Sequence, residues 1–284
     1  MRVTRMRVFV MMAATAVLVN CGSAERTVGS VQASDGVEIR YEVAGSGEPA
    51  LVFVHGWSCD RTYWRAQVDH FAASHRVVAI DLGGHGESGT GRDDWTMAAF
   101  GRDVQAVVEE LDLQRVVLVG HSMGGPVIAE AARLMPARVV ALIPVDTFHE
   151  VDSPVSDEDR DGFLAPMRAD FREATEGFVR QFMFAAGADT GLVGRIARDM
   201  AAAPPSIGVG AMEQLFRYDE GAALAALRVP VRLINADLFP TDLEAARRHK
   251  LDVGLAVMPG VGHFLMMEDP DEFNRLVARA VRGL

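Results

Sequence analysis

Residues 115–124 read RVVLVGHSMG, and residues 126–134 are rich in good helix formers. An apolar run, a Gly-x-Ser-x-Gly turn and a helix in this order predict a buried strand, a sharp turn and a helix. So tight a turn strains its central residue and leaves no room for side chains two positions away, which explains the flanking glycines. Ser122 is therefore the candidate nucleophile. The amide of Met123, at the predicted helix N-terminus, is a candidate donor to negative charge developing beside it.

Length and composition indicate one large globular domain. The chain has 284 residues, of which 49% are hydrophobic and 24% charged, and it can bury a sizeable core. Its 39 acidic and 28 basic residues give a net charge of −11. That charge disfavours nucleic acid and anionic membrane surfaces as partners, so we expect a small-molecule substrate.

The first 21 residues have the pattern of an export signal. Three arginines precede an apolar stretch over residues 8–19, which suits a signal-peptide core and is short for a membrane span. Residues 18–21, LVNC, resemble a bacterial lipobox, although Asn20 stands where a small residue is usual. We expect export to the periplasm or cell envelope, with Cys21 as the candidate lipidated residue for membrane attachment. An uncleaved apolar helix at a cytosolic N-terminus is the alternative, and residues 22–30 are predicted to form a tether.

Short apolar runs alternate with helical patterns through most of the remaining chain. Continuous apolar character is typical of strands buried on both faces of a parallel sheet. Such runs occur at residues 51–54, 77–80, 116–119, 139–145, 231–234 and 255–258, after a half-exposed strand pattern at 37–43. The alternation predicts the α/β class, with a doubly wound, mostly parallel sheet built from residues 31–146 and 229–284. Over residues 147–228 helical periodicity replaces the strands, which predicts a helical lid inserted after strand 6.

A histidine near the C-terminus is the candidate general base. Serine is a weak nucleophile until a base removes its proton. His263 lies in the sequence GVGHF, after the last predicted strand and before the final helix, which we expect to begin near Pro270. It follows Ser122 in chain order, as the hydrolase order of serine, acid and histidine requires.

These motifs resemble the α/β-hydrolase fold superfamily over nearly the whole stretch from Val31 to Leu284. Residues 55–57, HGW, are similar to the family's oxyanion loop, which implies that the amide of Trp57 acts together with that of Met123. Residues 81–88, DLGGHGES, resemble the D-x-x-G-x-G-x-S turn, which is structural in the family. We favour the same structural role for His85, inside that turn; the alternative is that its ring faces the site.

The resemblance leaves two candidates for the acid of the triad. In most relatives the acid follows strand 7, but in this chain Phe239 stands at that position. Asp237 lies two residues earlier. Asp146 lies at the end of strand 6, where lipases of the pancreatic type carry their acid. We favour Asp146, with Asp237 as the alternative.

The resemblance implies a serine hydrolase of the carboxylesterase kind. It would cleave a carboxylic ester or related acyl bond of a small to medium apolar substrate through an acyl-enzyme, with no metal or organic cofactor. Serine at the turn argues against haloalkane dehalogenase and epoxide hydrolase chemistry, whose relatives use an aspartate there. Lactonase, carbon–carbon bond hydrolase and perhydrolase activities remain alternatives. A non-catalytic ligand receptor with this fold is the alternative outside the enzymes.

Overall fold

The computed structural model describes residues 25–284, so the predicted signal and Cys21 lie outside the described residues. The strands are β1 (Arg26–Gln32), β2 (Glu38–Ala44), β3 (Ala50–Val54), β4 (Val77–Ile80), β5 (Val116–His121), β6 (Val139–Val145), β7 (Val231–Ala236) and β8 (Val253–Met258). The helices are α1 (Arg65–Phe71), α2 (Met97–Glu110), α3 (Gly124–Leu134), α4 (Asp157–Ala169), α5 (Phe171–Phe182), α6 (Thr190–Ala201), α7 (Pro205–Phe216), α8 (Glu220–Ala226), α9 (Leu243–His249), α10 (Leu265–Glu268) and α11 (Pro270–Arg282).

The strands form one sheet in the order β1-β2-β4-β3-β5-β6-β7-β8. The β1–β2 and β2–β4 pairs are antiparallel, and every pair from β4 to β8 is parallel. The central strands β3, β4 and β5 are buried along their whole length, as their continuous apolar runs require. The predicted fold class, a doubly wound and mostly parallel sheet, is confirmed.

The predicted tether is wrong over residues 26–30. These residues belong to β1, which pairs with β2 from Arg26 opposite Ala44 to Gln32 opposite Glu38. No residue of β1 is fully buried, because it is the outermost strand and its side chains meet solvent. An edge strand of this kind lacks the apolar alternation by which a strand is predicted from sequence.

Pro144 lies inside β6, where a proline would normally remove a hydrogen bond from the sheet. It stands opposite Gly120 of β5. On its other side, β6 pairs with β7 at Leu142 and Val145 but not at the residues between them. The irregular pairing accommodates the missing N–H, so the proline is compatible with a central strand.

Five helices, α4 to α8, lie between β6 and β7, within the segment predicted to form a helical lid. Each has a capping residue before it, and four of these are serine or aspartate side chains that accept an N–H of the first turn. Buried side chains such as Leu164, Val179 and Ile196 make these helices part of the same apolar core as the sheet. We call residues 147–228 the helical insertion.

The turn after β4 is held by its own aspartate. Asp81 is buried, accepts the amides of Arg61 at 2.7 Å and Glu87 at 2.9 Å, and forms an ion pair with the Arg61 guanidinium. A Cβ on Gly86 would lie 2.4 Å from this carboxylate, so only glycine fits. His85 is buried, and its Nδ1 hydrogen-bonds the Gly83 carbonyl at 3.0 Å. These contacts support a structural role for the turn.

No helix between residues 25 and 284 is both long and apolar enough to cross a bilayer.

The start of α3 packs directly on the end of β3. A Cβ on Gly124 would lie 2.7 Å from the carbonyl oxygen of Val54 and 2.9 Å from that of His55. Both neighbours are backbone atoms, which cannot rotate away. We therefore expect Gly124→Ala to lower the free energy of unfolding by about 1–3 kcal/mol, measured by urea denaturation, because the extra methyl overpacks the contact.

Gly177→Ala is the matched control for Gly124→Ala. Gly177 lies inside α5, and a Cβ there would meet nothing within 4 Å. Alanine should raise the free energy of unfolding by up to about 1 kcal/mol, because glycine is the poorer helix former. Equal effects of the two substitutions would contradict the packing argument.

Candidate active site

Ser122 occupies the turn between β5 and α3 with a left-handed backbone, at φ 53°. Few residues other than glycine adopt this conformation, so the surrounding structure must hold it in place. The Ser122 amide donates to the carbonyl of Val145 at 2.8 Å, and the Ser122 carbonyl accepts the Gly125 amide at 2.8 Å. The turn is thus fastened both to the end of β6 and to the first turn of α3.

The loop after β3 lies against this turn. A Cβ on Gly56 would approach the Cβ of Ser122 to 3.2 Å and the Nδ1 of His121 to 2.9 Å, so the loop comes this close only because residue 56 is glycine. The ring of His55 connects this loop to the turn after β4. Its Nδ1 donates to the Gly56 carbonyl at 2.8 Å, and its Nε2 accepts the Leu82 amide at 3.0 Å. Burial lowers the pKa of His55 to about 4, so the ring is neutral at pH 7.

Trp57, the predicted oxyanion residue, follows Gly56 in this loop and is buried. Its indole Nε1 donates to the carbonyl of Gly208 in α7 at 2.7 Å, and its ring meets the edge of Phe171 with 5.8 Å between ring centroids. Met123, the second predicted oxyanion residue, is buried at the start of α3. Trp57 therefore follows a glycine that packs against Ser122, and Met123 is the next residue after Ser122 in the chain.

His263 and Asp146 form a buried pair. The Nδ1 of His263 donates to the Oδ2 of Asp146 at 2.6 Å, although the two residues are 117 positions apart. Burial opposes ionisation of Asp146. The hydrogen bond from His263, the attraction to His263 and His149 when these rings are protonated, and the amide of Ala236 outweigh burial, and the pKa of Asp146 lies below its usual value. The carboxylate is therefore ionised at neutral pH and fixes the imidazole proton on Nδ1.

The backbone around Asp146 explains how a residue on β6 reaches the histidine. Asp146 has a left-handed backbone, at φ 47°, directly after the last residue of β6. Its amide donates to the carbonyl of Ile234 at 3.0 Å, and its Oδ1 accepts the amide of Ala236 at 2.8 Å. Two backbone groups of β7 therefore hold the carboxylate in position.

Asp237, the alternative acid, does not contact the imidazole of His263. It is exposed, and its carboxylate accepts the amide of Gly260 at 2.8 Å, in the loop before His263. Phe239, which stands where most relatives carry the acid, is exposed at the surface. Asp237 thus supports the histidine loop rather than the histidine side chain.

Sequence reasoning did not find the groups that hold the backbone of His263. Its amide donates to the carbonyl of Met183, just after α5, at 2.8 Å, and its carbonyl accepts from the Nε2 of His121 at 2.8 Å. A Cβ on Gly262 would lie 2.6 Å from the Met183 carbonyl, so the loop and the helical insertion are in close contact. His121 stood inside the quoted Gly-x-Ser-x-Gly motif, whereas a main-chain carbonyl such as that of Met183 leaves no signal in a sequence.

Asn235, at the end of β7, was also missed. Its side-chain amide donates to the carbonyl of Thr147 at 3.1 Å and to the hydroxyl of Thr241 at 2.9 Å, and its Oδ1 accepts the Thr147 amide at 3.3 Å. Asn235 therefore holds both main-chain groups of Thr147, the residue that follows Asp146, and supports the strained turn.

One cavity of about 1230 Å³ contains the candidate residues Ser122, Met123, Trp57, Asp146 and His263 in its lining. Apolar side chains, most of them from the helical insertion, form much of the remaining wall: Phe163, Phe178, Phe182, Met183, Met200, Met212, Leu215 and Phe216. Carboxylates also line it, at Glu150, Asp152, Asp157, Asp219 and Glu220. His85 is not among the lining residues in the described part of the chain.

The electrostatics of the site keep two further imidazoles neutral. His121 is fully buried, and burial, reinforced by the charge of His263, lowers its pKa to about 3. Burial likewise lowers the pKa of His149, which lies beside Asp146. Neither ring carries a positive charge at pH 7 that would compete with a proton on His263.

The fold and the site together define an α/β-fold hydrolase. Residues 51–276 match the sequence profile of the alpha/beta hydrolase family, and the chain belongs to this family.

Three similar proteins illustrate the range of the family. A dihydrolipoyllysine-residue acetyltransferase component of the acetoin cleaving system from Cupriavidus necator is 30% identical over 268 residues, which cover 88% of this chain and 68% of that protein. A non-heme chloroperoxidase from Kitasatospora aureofaciens is 29% identical, with 85% of this chain and 94% of the relative covered. The structure of a thermophilic esterase from Thermogutta terrifontis superposes with a TM-score of 0.79 at 28% identity, covering 92% of this chain and 99% of the esterase.

Turnover that uses His263 as the base should depend on Asp146 and not on Asp237. Asp146→Asn should lower kcat by about 10⁴-fold, because the amide no longer holds the correct imidazole tautomer or stabilises its protonated form. Asp237→Asn should change kcat less than about threefold, because its Oδ1 still accepts the Gly260 amide. Hydrolysis of p-nitrophenyl butyrate measures both, and equal losses in the two variants would contradict the assignment.

Proposed function

We propose that this protein is a serine hydrolase that cleaves carboxylic esters through an acyl-enzyme. The observation that carries the proposal is the 2.6 Å pair between His263 and the buried Asp146, at the same cavity as the strained Ser122. A buried carboxylate that orients an imidazole near a serine at the end of a strand is the arrangement that nucleophilic acyl transfer needs.

The proposed cycle begins when the Nε2 of His263 accepts the proton of Ser122. The serine oxygen attacks the ester carbonyl, and His263 then gives the proton to the departing alkoxide. A water molecule, deprotonated in turn by His263, attacks the acyl-enzyme. The second tetrahedral intermediate then collapses to release the carboxylic acid, and His263 returns the proton to the oxygen of Ser122. Asp146 stays ionised throughout and stabilises the imidazolium that forms twice in the cycle.

The oxyanion of each tetrahedral intermediate would be bound by the amides of Trp57 and Met123. The close packing of Gly56 on Ser122 brings the first of these segments to the serine. The second amide lies at the N-terminus of α3, where the helix dipole favours negative charge. Donors fixed in this way stabilise the transition state without reorganising during the reaction.

The cavity supports an apolar substrate of small to medium size. At about 1230 Å³ the space is ample for such an ester, since drug-sized ligand pockets hold about 300–1000 Å³. Its phenylalanine and methionine walls favour an apolar acyl or alcohol group. The similarity to the Thermogutta terrifontis esterase, over 92% of this chain, supports the same class of reaction.

A perhydrolase activity is the second candidate, because the chain resembles a protein named as a non-heme chloroperoxidase over 85% of its length. Hydrogen peroxide in place of water would attack the same acyl-enzyme and release a peracid. The two reactions share every residue named above. The ratio of peracid to acid formed from one ester, at equal concentrations of protein, decides between them.

A fluorophosphonate probe tests the nucleophile directly. The parent protein should be labelled at Ser122, because an activated serine oxygen attacks phosphorus and expels fluoride. Ser122→Ala should abolish labelling and lower ester hydrolysis by about 10⁴-fold or more, the size of effect expected when a nucleophile is removed. Mass spectrometry of the labelled peptide and p-nitrophenyl ester assays measure these outcomes.

Ser153→Ala is the matched control, because Ser153 also lines the cavity but lies outside the Gly-x-Ser-x-Gly turn. It should be labelled and active like the parent. An unlabelled, inactive parent that still binds apolar ligands would favour the receptor alternative. A series of esters and lactones of graded size would then separate esterase from lactonase activity in an active parent.

We further propose that the protein is exported and attached to a membrane through a lipid on Cys21. The support is the basic and apolar pattern of residues 2–19 and the LVNC sequence at 18–21. Cys21→Ser should move the chain from the membrane to the soluble fraction, while Cys59→Ser, which changes the other cysteine, should not. Fractionation of cells that express each variant measures this, and an unchanged distribution of Cys21→Ser would refute the anchor.

A further inference from the structure

A second imidazole faces the carboxylate of Asp146 on the side away from His263. The Nε2 of His149 lies 3.7 Å from the Oδ1 of Asp146, whereas His263 contacts the Oδ2. Among residues 25–284 this Nε2 is buried without a hydrogen-bond partner. A buried polar atom without a partner is costly, so its position next to a carboxylate calls for an explanation.

The other ring nitrogen of His149 shows how its protons are arranged. The Nδ1 lies 3.1 Å from the hydroxyl oxygen of Thr241. That oxygen accepts an N–H from Asn235 at 2.9 Å, and its own hydrogen can be donated to the Nδ1. We assign this arrangement, because the opposite tautomer would turn a nitrogen lone pair toward the Asp146 carboxylate. A neutral imidazole that accepts at Nδ1 carries its hydrogen on Nε2. The N–H of His149 therefore faces Asp146.

The ring of His149 is held in this place by its neighbours. Its main-chain carbonyl accepts the amide of Asp242 at 2.8 Å, and its ring meets the edge of the Phe239 ring with 5.9 Å between centroids. Both contacts come from the segment between β7 and α9. The 3.7 Å between the Nε2 of His149 and the Oδ1 of Asp146 is longer than a hydrogen bond, and catalytic hydrogen bonds often tighten only when the reacting complex forms.

We propose that His149 is a positioning residue that donates to the Oδ1 of Asp146 and thereby sets the strength of the Asp146–His263 pair. This inference rests on the proposed function. The Oδ2 of Asp146 would accept the Nδ1–H of His263. The Oδ1 would accept two hydrogens, from the amide of Ala236 and from the Nε2 of His149. The carboxylate keeps its orientation while the imidazole of His263 gains and loses a proton.

The ionisable groups that face His149 are Asp146, His263 and Glu150, the residue that follows His149 in the chain. Burial lowers the pKa of His149, the charges of Asp146 and Glu150 act against that shift, and the charge of His263 adds to it. His149 is therefore a neutral donor at pH 7. It withdraws charge from the carboxylate that stabilises protonated His263, and once protonated it repels that imidazolium. Both effects disfavour the protonated form of His263.

Removal of the His149 N–H should therefore change the pH profile of kcat in one direction. In His149→Phe the Asp146 carboxylate keeps more of its negative charge, so the acidic limb of the pH profile of kcat should move to higher pH. At the pH optimum, kcat should fall about tenfold, because the carboxylate loses one of its fixed contacts. His149→Gln keeps a neutral N–H donor on a side chain of similar reach, and its kcat should stay within about twofold of the parent.

The experiment compares the parent, His149→Phe, His149→Gln and Thr241→Val, with His70→Phe on α1 as a control far from the site. Thr241→Val removes the hydroxyl that orients His149 and keeps its shape, so it should show part of the His149→Phe effect. Two quantities are measured: kcat for p-nitrophenyl butyrate against pH, and the pH titration of the far-downfield proton NMR signal of the His263–Asp146 hydrogen bond.

Each outcome is decisive. Equal losses in His149→Phe and His149→Gln, with an unshifted NMR titration, would overturn the inference and leave a packing role. Parent-like behaviour of His149→Phe and Thr241→Val would overturn it as well. If the parent hydrolyses no ester but the NMR titration moves as expected, the proposed function fails and the link from His149 to Asp146 stands. If His149→Phe does not fold, Thr241→Val and His149→Gln still give the comparison.

Discussion

The hydrogen bond between the Nδ1 of His263 and the Oδ2 of Asp146 is the interaction around which the site is arranged. A buried carboxylate costs free energy unless charged or polar neighbours compensate it. In this protein a histidine from the C-terminal loop and a main-chain amide from β7 provide that compensation. Asp146 directly follows β6 and has a left-handed backbone, so it does not continue the strand, in which side chains alternate between the two faces of the sheet.

Strand β7 supports Asp146, the proposed acid at the end of β6. At the end of β7, the amide of Ala236 donates to the Asp146 carboxylate, and the side chain of Asn235 donates to the carbonyl of Thr147, the residue after Asp146. Asp237 accepts the amide of Gly260 in the loop before His263. At the position where the family resemblance implied an acid, this chain has the exposed Phe239.

Local signals in the sequence predicted the parts of the fold and site that depend on local geometry. The glycines around Ser122, the apolar strand runs and the loop position of His263 follow from rules that act within a few residues. The choice between Asp146 and Asp237 depended on which strand end faces the imidazole, which spacing along the chain cannot decide. β1 was mistaken for a tether because both of its faces reach solvent. Met183 was missed because its contribution is a carbonyl group, which every residue carries.

The helical insertion is joined to the site through main-chain carbonyls: that of Met183 receives the amide of His263, and that of Gly208 receives the indole of Trp57. Neither bond uses the side chain of the residue that accepts it. Mutations that change the cavity wall in this segment therefore need not weaken these two hydrogen bonds. Under the proposed function, substrate preference can then change among descendants of this chain while Ser122, His263 and Asp146 keep their positions.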